Sequence, residues 1–276
     1  MKIATVIGTR PEIIKMAPII PEFDREHEHR FIFTGQHYSH NMVEIFLEEM
    51  QVRRPDVFLN VESSDIGILC DAIRAELAQF KPDLLMIYGD TNSTLAAARA
   101  CPPGCRICHI EAGIRSFDER MPEELNRIET DSISHFKLAP TGLARYFLHD
   151  LEGYSDDEII VVGNLVVDAY RIYRERILSH EIPFGLKPQQ YYLLTMHRKE
   201  NVDEPVRLRA IMESLAGLTK PVIFPVHPRT LKRMQEFGVD FPANVTHVEP
   251  IGYFPFMRLM HDCDVVVTDS GGVQEE

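Results

Sequence analysis

The sequence predicts an α/β protein built from two doubly wound parallel sheets, and three observations support this prediction. Short, almost continuously apolar runs such as 3–7 recur along the whole chain. Segments of helical period separate these runs, which is typical of parallel strands covered by helices on both faces. A linker around Pro183 divides the pattern into two sets. We therefore expect two Rossmann-like domains, 1–165 and 166–276, that face each other across a cleft.

The first set opens with strand 3–7 and a helix that begins at Pro11, where the missing N–H of proline removes no helical hydrogen bond. Each later strand is an aliphatic or aromatic run bounded by turn residues, and each helix repeats apolar residues three and four positions apart. The further predicted strands are 31–34, 83–88, 106–110, 135–138 and 158–162. The predicted helices are 11–25, 42–50, 65–80, 92–100, 123–134 and 141–151.

The second set follows a helical stretch at 166–179 and the proline-containing linker. Its predicted strands are 191–196, 222–226, 245–248 and 264–268, again with helices between them. The chain stops at Glu276, within what reads as the first turn of a helix. So short a helix is not stable alone. We therefore expect a truncated chain whose second domain is incomplete.

Charge and apolar content exclude several classes of protein. The chain has 29 Lys and Arg residues against 42 Asp and Glu residues, a formal net charge of −13. This charge argues against nucleic acid or an anionic membrane as the main partner. No apolar stretch reaches the length of a membrane span or resembles a signal peptide, so we expect a soluble, cytoplasmic protein.

The five cysteines are an odd number for a disulfide framework and read as reduced thiols. Cys101, Cys105 and Cys108 precede His109 closely enough to suggest zinc. Their spacing has no distant partner pair, however, and Cys108 falls inside a predicted strand. We therefore expect no metal site.

Two glycine-containing turns follow predicted strands and could bind an anion. The first strand runs into Gly8, with Arg10 and Lys15 close behind, and the last strand runs into Ser270 and Gly271. Such turns expose backbone N–H groups to a phosphate. The two turns belong to opposite domains and so suggest a bound diphosphate. Neither a P-loop motif nor a dinucleotide-binding motif is present.

Carboxylates and an imidazole also follow strands. Asp90 and Glu111 come directly after two of them, Glu123 and Glu124 open a helix, and His197 follows a strand of the second set. A single carboxylate at such a place is often a helix cap or an ion-pair partner, and Glu123 and Glu124 fit the capping role well. Several acids in one partly desolvated site instead favour proton transfer, since they shift one another's pKa values.

These motifs together resemble one family, the non-hydrolysing UDP-N-acetylglucosamine 2-epimerases. The resemblance runs through the whole chain in the order GTRPEIIK, GQH, GDTNS, HIEAGIRS, RMPEELNR, VVGN, HRKEN, HP and DSGGVQEE. It implies the two-domain glycosyltransferase-B fold, a UDP-sugar as substrate and, by family analogy, a homodimer. It implies no cofactor.

The resemblance also implies a role for individual residues. Those that match positions holding the UDP phosphates are Arg10, His197, Ser270, Gly271 and Gly272. Glu276 matches the acid that binds the ribose hydroxyls, and Lys15 and Arg127 match residues around the sugar and leaving group. The residues that the resemblance makes catalytic candidates are Asp90, Glu111, Glu123 and, besides its phosphate role, His197.

The implied reaction interconverts UDP-N-acetylglucosamine and UDP-N-acetylmannosamine, for surface polysaccharide synthesis. Elimination of UDP gives 2-acetamidoglucal, and UDP then adds back after C2 is protonated on the opposite face. Four alternatives remain open: an epimerase of a diacetamido-uronic acid UDP-sugar, a hydrolysing relative, a glycosyltransferase of the same architecture, and a silent fragment. The segment 113–116 favours the simpler sugar. The segment 36–41 and the pair Pro228 and Arg229 depart from bacterial members that carry a second, activating UDP-N-acetylglucosamine site, although Gln36, His37 and His227 are retained.

Overall fold

The computed structural model describes residues 1–35 and 40–276 of the chain. The chain divides into two compact units, Met1–Ala169 and Tyr170–Glu276. Each unit contains one wholly parallel sheet with helices joining its strands. The predicted α/β fold with two Rossmann-like parts is therefore confirmed.

The first unit is organised around a seven-stranded parallel sheet. Its strands are β1 Lys2–Ile7, β2 Glu28–Phe33, β3 Val57–Phe58, β4 Leu84–Tyr88, β5 Arg106–Ile110, β6 Phe136–Ala139 and β7 Ile159–Val161. They lie in the order β3-β2-β1-β4-β5-β6-β7. The order reverses direction between β1 and β4, and in such sheets ligands bind beyond the carboxyl ends of the strands at this switch point.

Eight helices of the described ranges connect or follow these strands. They are α1 Arg10–Met16, α2 Ile20–Glu26, α3 His40–Met50, α4 Ile66–Phe80, α5 Asn92–Ala100, α6 Pro122–Ile133, α7 Gly142–Tyr146 and α8 Leu165–Ser179. The buried faces of α4 and α5 pack on the sheet, where Ile73 and Ala97 join Val6 and Ile87 in one apolar cluster. This packing fixes the strand ends that carry the polar residues.

The second unit repeats the same plan with four strands. They are β8 Tyr192–Thr195, β9 Val222–Pro225, β10 Val245–Val248 and β11 Val265–Thr268, in the order β10-β9-β8-β11. Its helices within the described residues are α9 Lys199–Val202, α10 Pro205–Ala216, α11 Pro228–Phe237, α12 Tyr253–Asp262 and α13 Gly271–Glu275. The reversal here lies between β8 and β11. The two loops that the sequence predicts to bind phosphate therefore follow neighbouring strands.

Three elements differ from the sequence prediction. The helix predicted over 11–25 is two helices, because Pro18 and Pro21 interrupt the hydrogen bonding and Pro21 opens α2. The helix predicted over 141–151 ends at Tyr146 and continues as a π-helical turn. The strand β3 was not predicted, because two residues are too short to show a period.

Across the described ranges, none of the helices combines the length and apolar character that a bilayer crossing requires.

Replacing Gly8 by alanine should destabilise the first unit. A Cβ at this position would lie 2.2 Å from Ser93 Oγ and 2.8 Å from Thr34 Oγ1, so neighbouring groups must move. We expect G8A to lower the free energy of unfolding by about 1–3 kcal/mol, as overpacking does elsewhere. Urea denaturation measures the difference.

Gly142 supplies the matched control, because beyond its chain neighbours and the backbone of its own helix no described atom lies within 4 Å of the corresponding Cβ. The G142A variant should stay within about 0.5 kcal/mol of the unsubstituted chain. Equal stabilities for G8A and G142A would contradict the close approach at Gly8.

Candidate functional site

The turn after β1 is held by a carboxylate that the sequence analysis did not single out. Glu12, in α1, is buried, and its Oε2 accepts hydrogen bonds from the N–H groups of Gly8 at 2.5 Å and Thr9 at 2.8 Å. Its Oε1 accepts a bond from Thr91 Oγ1 at 2.9 Å. Glu12 therefore ties the turn after β1 to the turn after β4, which carries Asp90.

Burial gives this carboxyl an unusual protonation equilibrium. Loss of hydration raises the pKa of Glu12 to about 7, against the opposing effect of the Gly8, Thr9 and Thr91 donors, and the nearby Asp90 adds to the rise. The signal for Glu12 was present in the sequence, since Thr9 and Glu12 have the Thr-x-x-Glu spacing of a capping box.

Glu111, one of the predicted proton-transfer residues, follows β5 and lies close to Lys15 of α1. The two side chains form an ion pair at 2.9 Å, and the exposed fractions of their side chains are 12% and 16%. The hydroxyl of Tyr88, at the end of β4, donates to the same carboxylate oxygen. Lys15 Nζ also lies 5.0 Å from the centroid of the Tyr88 ring. Lys15 and Glu111, predicted from separate motifs, are therefore brought together.

Asp90, the second predicted acid, is paired with Arg127 of α6. The guanidinium of Arg127 donates to the Asp90 carboxylate and, at 2.9 Å, to Glu124 Oε2. Asn126 donates to the main-chain carbonyl of Asp90 at 2.9 Å. The side chain and the backbone of Asp90 are thus both fixed by α6.

The adjacent acids Glu123 and Glu124 have different environments. Glu124 is buried and accepts bonds from the Ser116 N–H at 2.9 Å and the Phe117 N–H at 3.0 Å. Burial opposes ionisation, but these donors and Arg127 hold the pKa of Glu124 below its ordinary value. Glu123 is exposed at the first turn of α6. The structural role considered for the pair therefore falls on Glu124, which leaves Glu123 available to a ligand.

Arg10 opens α1 and is half-buried. Its guanidinium lies 5.5 Å from the ring centroid of Phe46 in α3. The ring therefore supports the side chain from one side.

In the second unit, Asp269 joins the loops that follow β8 and β11. Its carboxylate accepts bonds from the N–H groups of His197 at 3.1 Å and Arg198 at 3.0 Å, and from Asn201 Nδ2 at 2.9 Å. The Nδ1 atom of His197 lies 3.6 Å from the same carboxylate. Asp269 thereby fixes the position of His197 next to the last predicted motif.

These loops border a cavity of about 170 Å³ in the second unit. Its lining residues are Thr195, Met196, His197, Pro225, His227, Pro250, Ser270 and Val273. The rings of His197 and His227 lie 5.7 Å apart, centroid to centroid. The cavity therefore offers imidazole and hydroxyl groups to a polar ligand, and it brings together two residues predicted to hold phosphate, His197 and Ser270.

The remaining predicted residues of the second unit lie in or next to α13, whose N-cap Ser270 and residue Val273 line this cavity. Ser270 caps the helix by accepting a bond from the Val273 N–H at 3.5 Å, and Gly271 and Gly272 form its first turn. An added Cβ on Gly271 would lie 3.9 Å from the Arg198 guanidinium. The N–H of Glu276 donates to the Gly272 carbonyl at 3.0 Å, at the end of the same turn.

Within residues 1–35 and 40–276, no group of three or more His, Cys, Asp or Glu side chains could hold a metal ion. The five cysteines are free thiols, and Cys105 and Cys108 are buried. Burial raises the pKa of Cys108 to about 12. Gln36 and His37, which bear on the second UDP-N-acetylglucosamine site, lie outside the described residues.

Comparison with known proteins gives a consistent likeness. A family model described as UDP-N-acetylglucosamine 2-epimerase matches residues 22–276. The UDP-N-acetylglucosamine 2-epimerase of Methanococcus maripaludis is 42% identical, over the whole chain and 80% of that protein. The UDP-2,3-diacetamido-2,3-dideoxy-D-glucuronate 2-epimerase of Pseudomonas aeruginosa is 38% identical, over the same shares of the two chains.

A solved structure shows the same likeness in three dimensions. The crystal structure of the Methanocaldococcus jannaschii UDP-GlcNAc 2-epimerase, in complex with UDP-GlcNAc and UDP, superimposes with a TM-score of 0.90. It is 40% identical in sequence, and the match covers all of this chain and 80% of the other.

The buried Glu12 carboxyl should make stability depend on pH. Its folded-state pKa of about 7 lies above the ordinary value of 4.5, so its contribution to stability is complete below pH 4.5. That contribution is lost as the pH rises to about 7, because only the folded state resists ionisation. The loss should be on the order of 3 kcal/mol. Urea denaturation from pH 4.5 to 8 should show this decline in the unsubstituted chain and not in E12Q.

The exposed Glu22 provides the control, because its side chain keeps most of its hydration in the folded chain. The E22Q variant should show the same decline as the unsubstituted chain. A decline of equal size in E12Q would refute the assignment to Glu12.

Proposed function

The chain belongs to the UDP-N-acetylglucosamine 2-epimerase family, and on that premise we propose that it interconverts UDP-N-acetylglucosamine and UDP-N-acetylmannosamine. The family match and the 42% identical relative confirm the resemblance carried by the motifs. They also confirm the predicted enzyme class, an isomerase that acts on a carbohydrate.

The chemistry of the substrate requires that UDP leaves early. The hydrogen on C2 is not next to a carbonyl group, so its direct removal at neutral pH is slow. Departure of UDP from C1 gives that carbon oxocarbenium character and acidifies the C2 hydrogen. A base removes the proton to give 2-acetamidoglucal, an acid protonates C2 from the opposite face, and a UDP oxygen re-forms the bond to C1.

The first unit supplies the proton-transfer groups in this proposal. Asp90, Glu111 and Glu123 are the candidate acids and bases, and Lys15 and Arg127 act around the sugar and leaving group. Two ion pairs support these roles, because Lys15 and Arg127 each hold one candidate carboxylate in place. Positioned acid and base groups of this kind contribute about 10²–10⁴-fold to a rate.

The second unit supplies most of the diphosphate binding. His197 and Ser270 border one cavity, and Gly271 and Gly272 follow with backbone N–H groups at the first turn of α13. Arg10 adds a cation from the first unit, and Glu276 is the proposed ligand of the ribose hydroxyls. N–H groups and cations stabilise a departing diphosphate by charge-assisted hydrogen bonds.

One observation carries the proposal. Asp90 and Glu111 follow adjacent parallel strands, β4 and β5, and each is paired with a cation from a neighbouring helix. Residues from separate family motifs thus form ion pairs beyond the carboxyl ends of two adjacent strands of one sheet.

A second candidate substrate follows from the Pseudomonas aeruginosa relative. That protein is named for UDP-2,3-diacetamido-2,3-dideoxy-D-glucuronate. It is 38% identical to this chain, and the Methanococcus maripaludis relative is 42% identical. Both names specify inversion at C2, so in this proposal the same proton-transfer groups suit either substrate.

The direct test incubates the chain with UDP-N-acetylglucosamine in D₂O and follows the anomeric protons by NMR. We expect the signal of UDP-N-acetylmannosamine to grow, with deuterium at C2 of both sugars, because each passage through the glucal exchanges that hydrogen. A parallel reaction with UDP-2,3-diacetamido-2,3-dideoxyglucuronate compares kcat/KM for the two sugars. Preference for the uronate would replace the proposed substrate, free N-acetylmannosamine would indicate a hydrolysing relative, and no turnover of either sugar would reject the proposed function. Light scattering tests the expected homodimer.

Amide replacement of the paired acids should abolish most turnover without abolishing binding. We expect D90N and E111Q to lower kcat by about 10²–10⁴-fold, because an amide cannot exchange the proton that the carboxyl group carries. The affinity for UDP, measured by calorimetry, should change little, since neither side chain is a proposed diphosphate ligand.

The control is E129Q, on the exposed face of the same helix as Arg127, where Glu129 pairs with Arg99. E129Q should keep the kcat of the unsubstituted chain. A normal kcat in both D90N and E111Q would leave these acids without the proposed role.

A further inference from the structure

Glu111 adopts a backbone conformation that requires support. Its φ angle is +71°, in the left-handed region that residues with a side chain rarely occupy. Such a conformation persists only where the surrounding structure enforces it. The N–H groups of Glu111 and Ala112 both donate to the Leu138 carbonyl at 3.1 Å, which supports the segment from the side of β6.

A single buried carboxylate holds the chain on both sides of Glu111. Asp131, in α6, is fully buried, and its Oδ2 accepts a bond from the Gly113 N–H at 3.1 Å. Its Oδ1 lies 2.6 Å from Nδ1 of His109. Asp131 therefore fixes the second residue before and the second residue after Glu111.

The other nitrogen of the His109 ring reaches the loop of the second acid. Nε2 lies 2.8 Å from the carbonyl oxygen of Gly89. Gly89 stands between Tyr88, which donates to Glu111, and Asp90. The imidazole thus links the segment that carries Glu111 to the segment that carries Asp90.

Both partners of His109 are hydrogen-bond acceptors, a carboxylate and a carbonyl. A neutral imidazole has one N–H and one bare nitrogen, so it could donate to only one of them. The ring satisfies both when it carries both protons and one positive charge. Burial opposes ionisation of Asp131, but His109 and Arg115 hold the pKa of Asp131 below its ordinary value.

The charges around the buried Asp131 carboxylate balance, with the more exposed Glu152 as the outermost member. Arg115 donates to Asp131 Oδ2 at 2.7 Å and to Glu152 Oε1 at 2.5 Å. With a doubly protonated His109 ring, two cations, His109 and Arg115, face two carboxylates, Asp131 and Glu152. A buried charge that is fully paired in this way is tolerated, whereas an unpaired one is costly.

We propose that His109, as a doubly protonated ring, and Asp131 are positioning residues that hold Glu111 and Asp90 in register for proton transfer at C2. The inference rests on the proposed function for its catalytic consequence. The hydrogen bonds of His109 and Asp131 go to the chain around the two acids, and in the proposed reaction neither residue exchanges a proton with the sugar.

The first experiment uses His109→Phe, which removes the hydrogen bonds of His109 to Asp131 and to the Gly89 carbonyl. We expect kcat to fall by about 100-fold, because small displacements of reacting groups cost that much. KM and the affinity for UDP should change less than about threefold, and the pH profile should keep its shape because the exchanging groups are unchanged. The control is H135F. Nδ1 of His135 accepts a hydrogen bond from the Ile107 N–H, near the end of β5 that is opposite to Glu111. H135F should keep its kcat.

Asp131→Asn separates geometry from charge. In this variant the amide oxygen of Asn can still accept hydrogen bonds from Gly113 and Arg115. Its NH₂ group can donate to Nδ1 of a neutral His109 ring, and the Nε2–H of that ring can still donate to the Gly89 carbonyl. We expect D131N to stay within about tenfold of the original kcat, since the linkage survives. If H109F fails to fold, the protonation of the His109 ring in the unsubstituted chain, measured by NMR, still tests the linkage.

Nitrogen-15 NMR of the histidine rings provides a test that does not depend on turnover. The His109 ring should carry two protons in the unsubstituted chain and one in D131N. A chain without epimerase activity but with this protonation pattern would reject the proposed function and keep the linkage. A singly protonated ring in the unsubstituted chain, a normal kcat in H109F, or a kcat of D131N as low as that of E111Q would overturn the inference.

Discussion

Carboxylates can stay at the buried edge of a parallel sheet only if cations or N–H groups compensate them, because an uncompensated buried charge is strongly destabilising. In the first unit, four buried or part-buried acids near this edge have such partners. The pairs are Glu12 with the N–H groups of Gly8 and Thr9, Glu111 with Lys15, Asp90 with Arg127, and Asp131 with His109. In the last three pairs the partner comes from another element, so α1 and α6 are oriented by the same charges that form the candidate site.

The two sheets use one strand order for different purposes. In each, the first strand of the unit lies between the second and the fourth, so neighbouring strand ends come from distant parts of the chain. The first unit fills these ends with carboxylate–cation pairs, which suit proton transfer. The second unit uses Asp269 to arrange N–H groups and places His197 and Ser270 around a cavity, which suits an anion. Similar scaffolds thus carry separable halves of the proposed chemistry.

The fold was largely predictable because buried parallel strands read as uninterrupted apolar runs. The strands 106–110 and 245–248 were predicted with the bounds that the structure has. Failures arose where the decisive interaction is not periodic. Two prolines divide the first predicted helix, and β3 contributes only two residues to the sheet. Patterns of hydrophobicity locate elements, but backbone hydrogen bonding decides where they end.

The residues of the candidate site were predictable only where they belong to sequence motifs at the ends of strands. Lys15 and Arg127 were expected near the acids, and the structure gives each a carboxylate partner. The capping pattern could not separate Glu123 from Glu124, because helical rotation and the loop at Ser116 determine which is buried; only the family resemblance singled out Glu123. Asp131 was missed for a related reason, since its partners are separated from it in sequence by 16 to 22 residues. A residue that acts by holding others has no motif of its own, so its importance follows from three-dimensional hydrogen bonding alone.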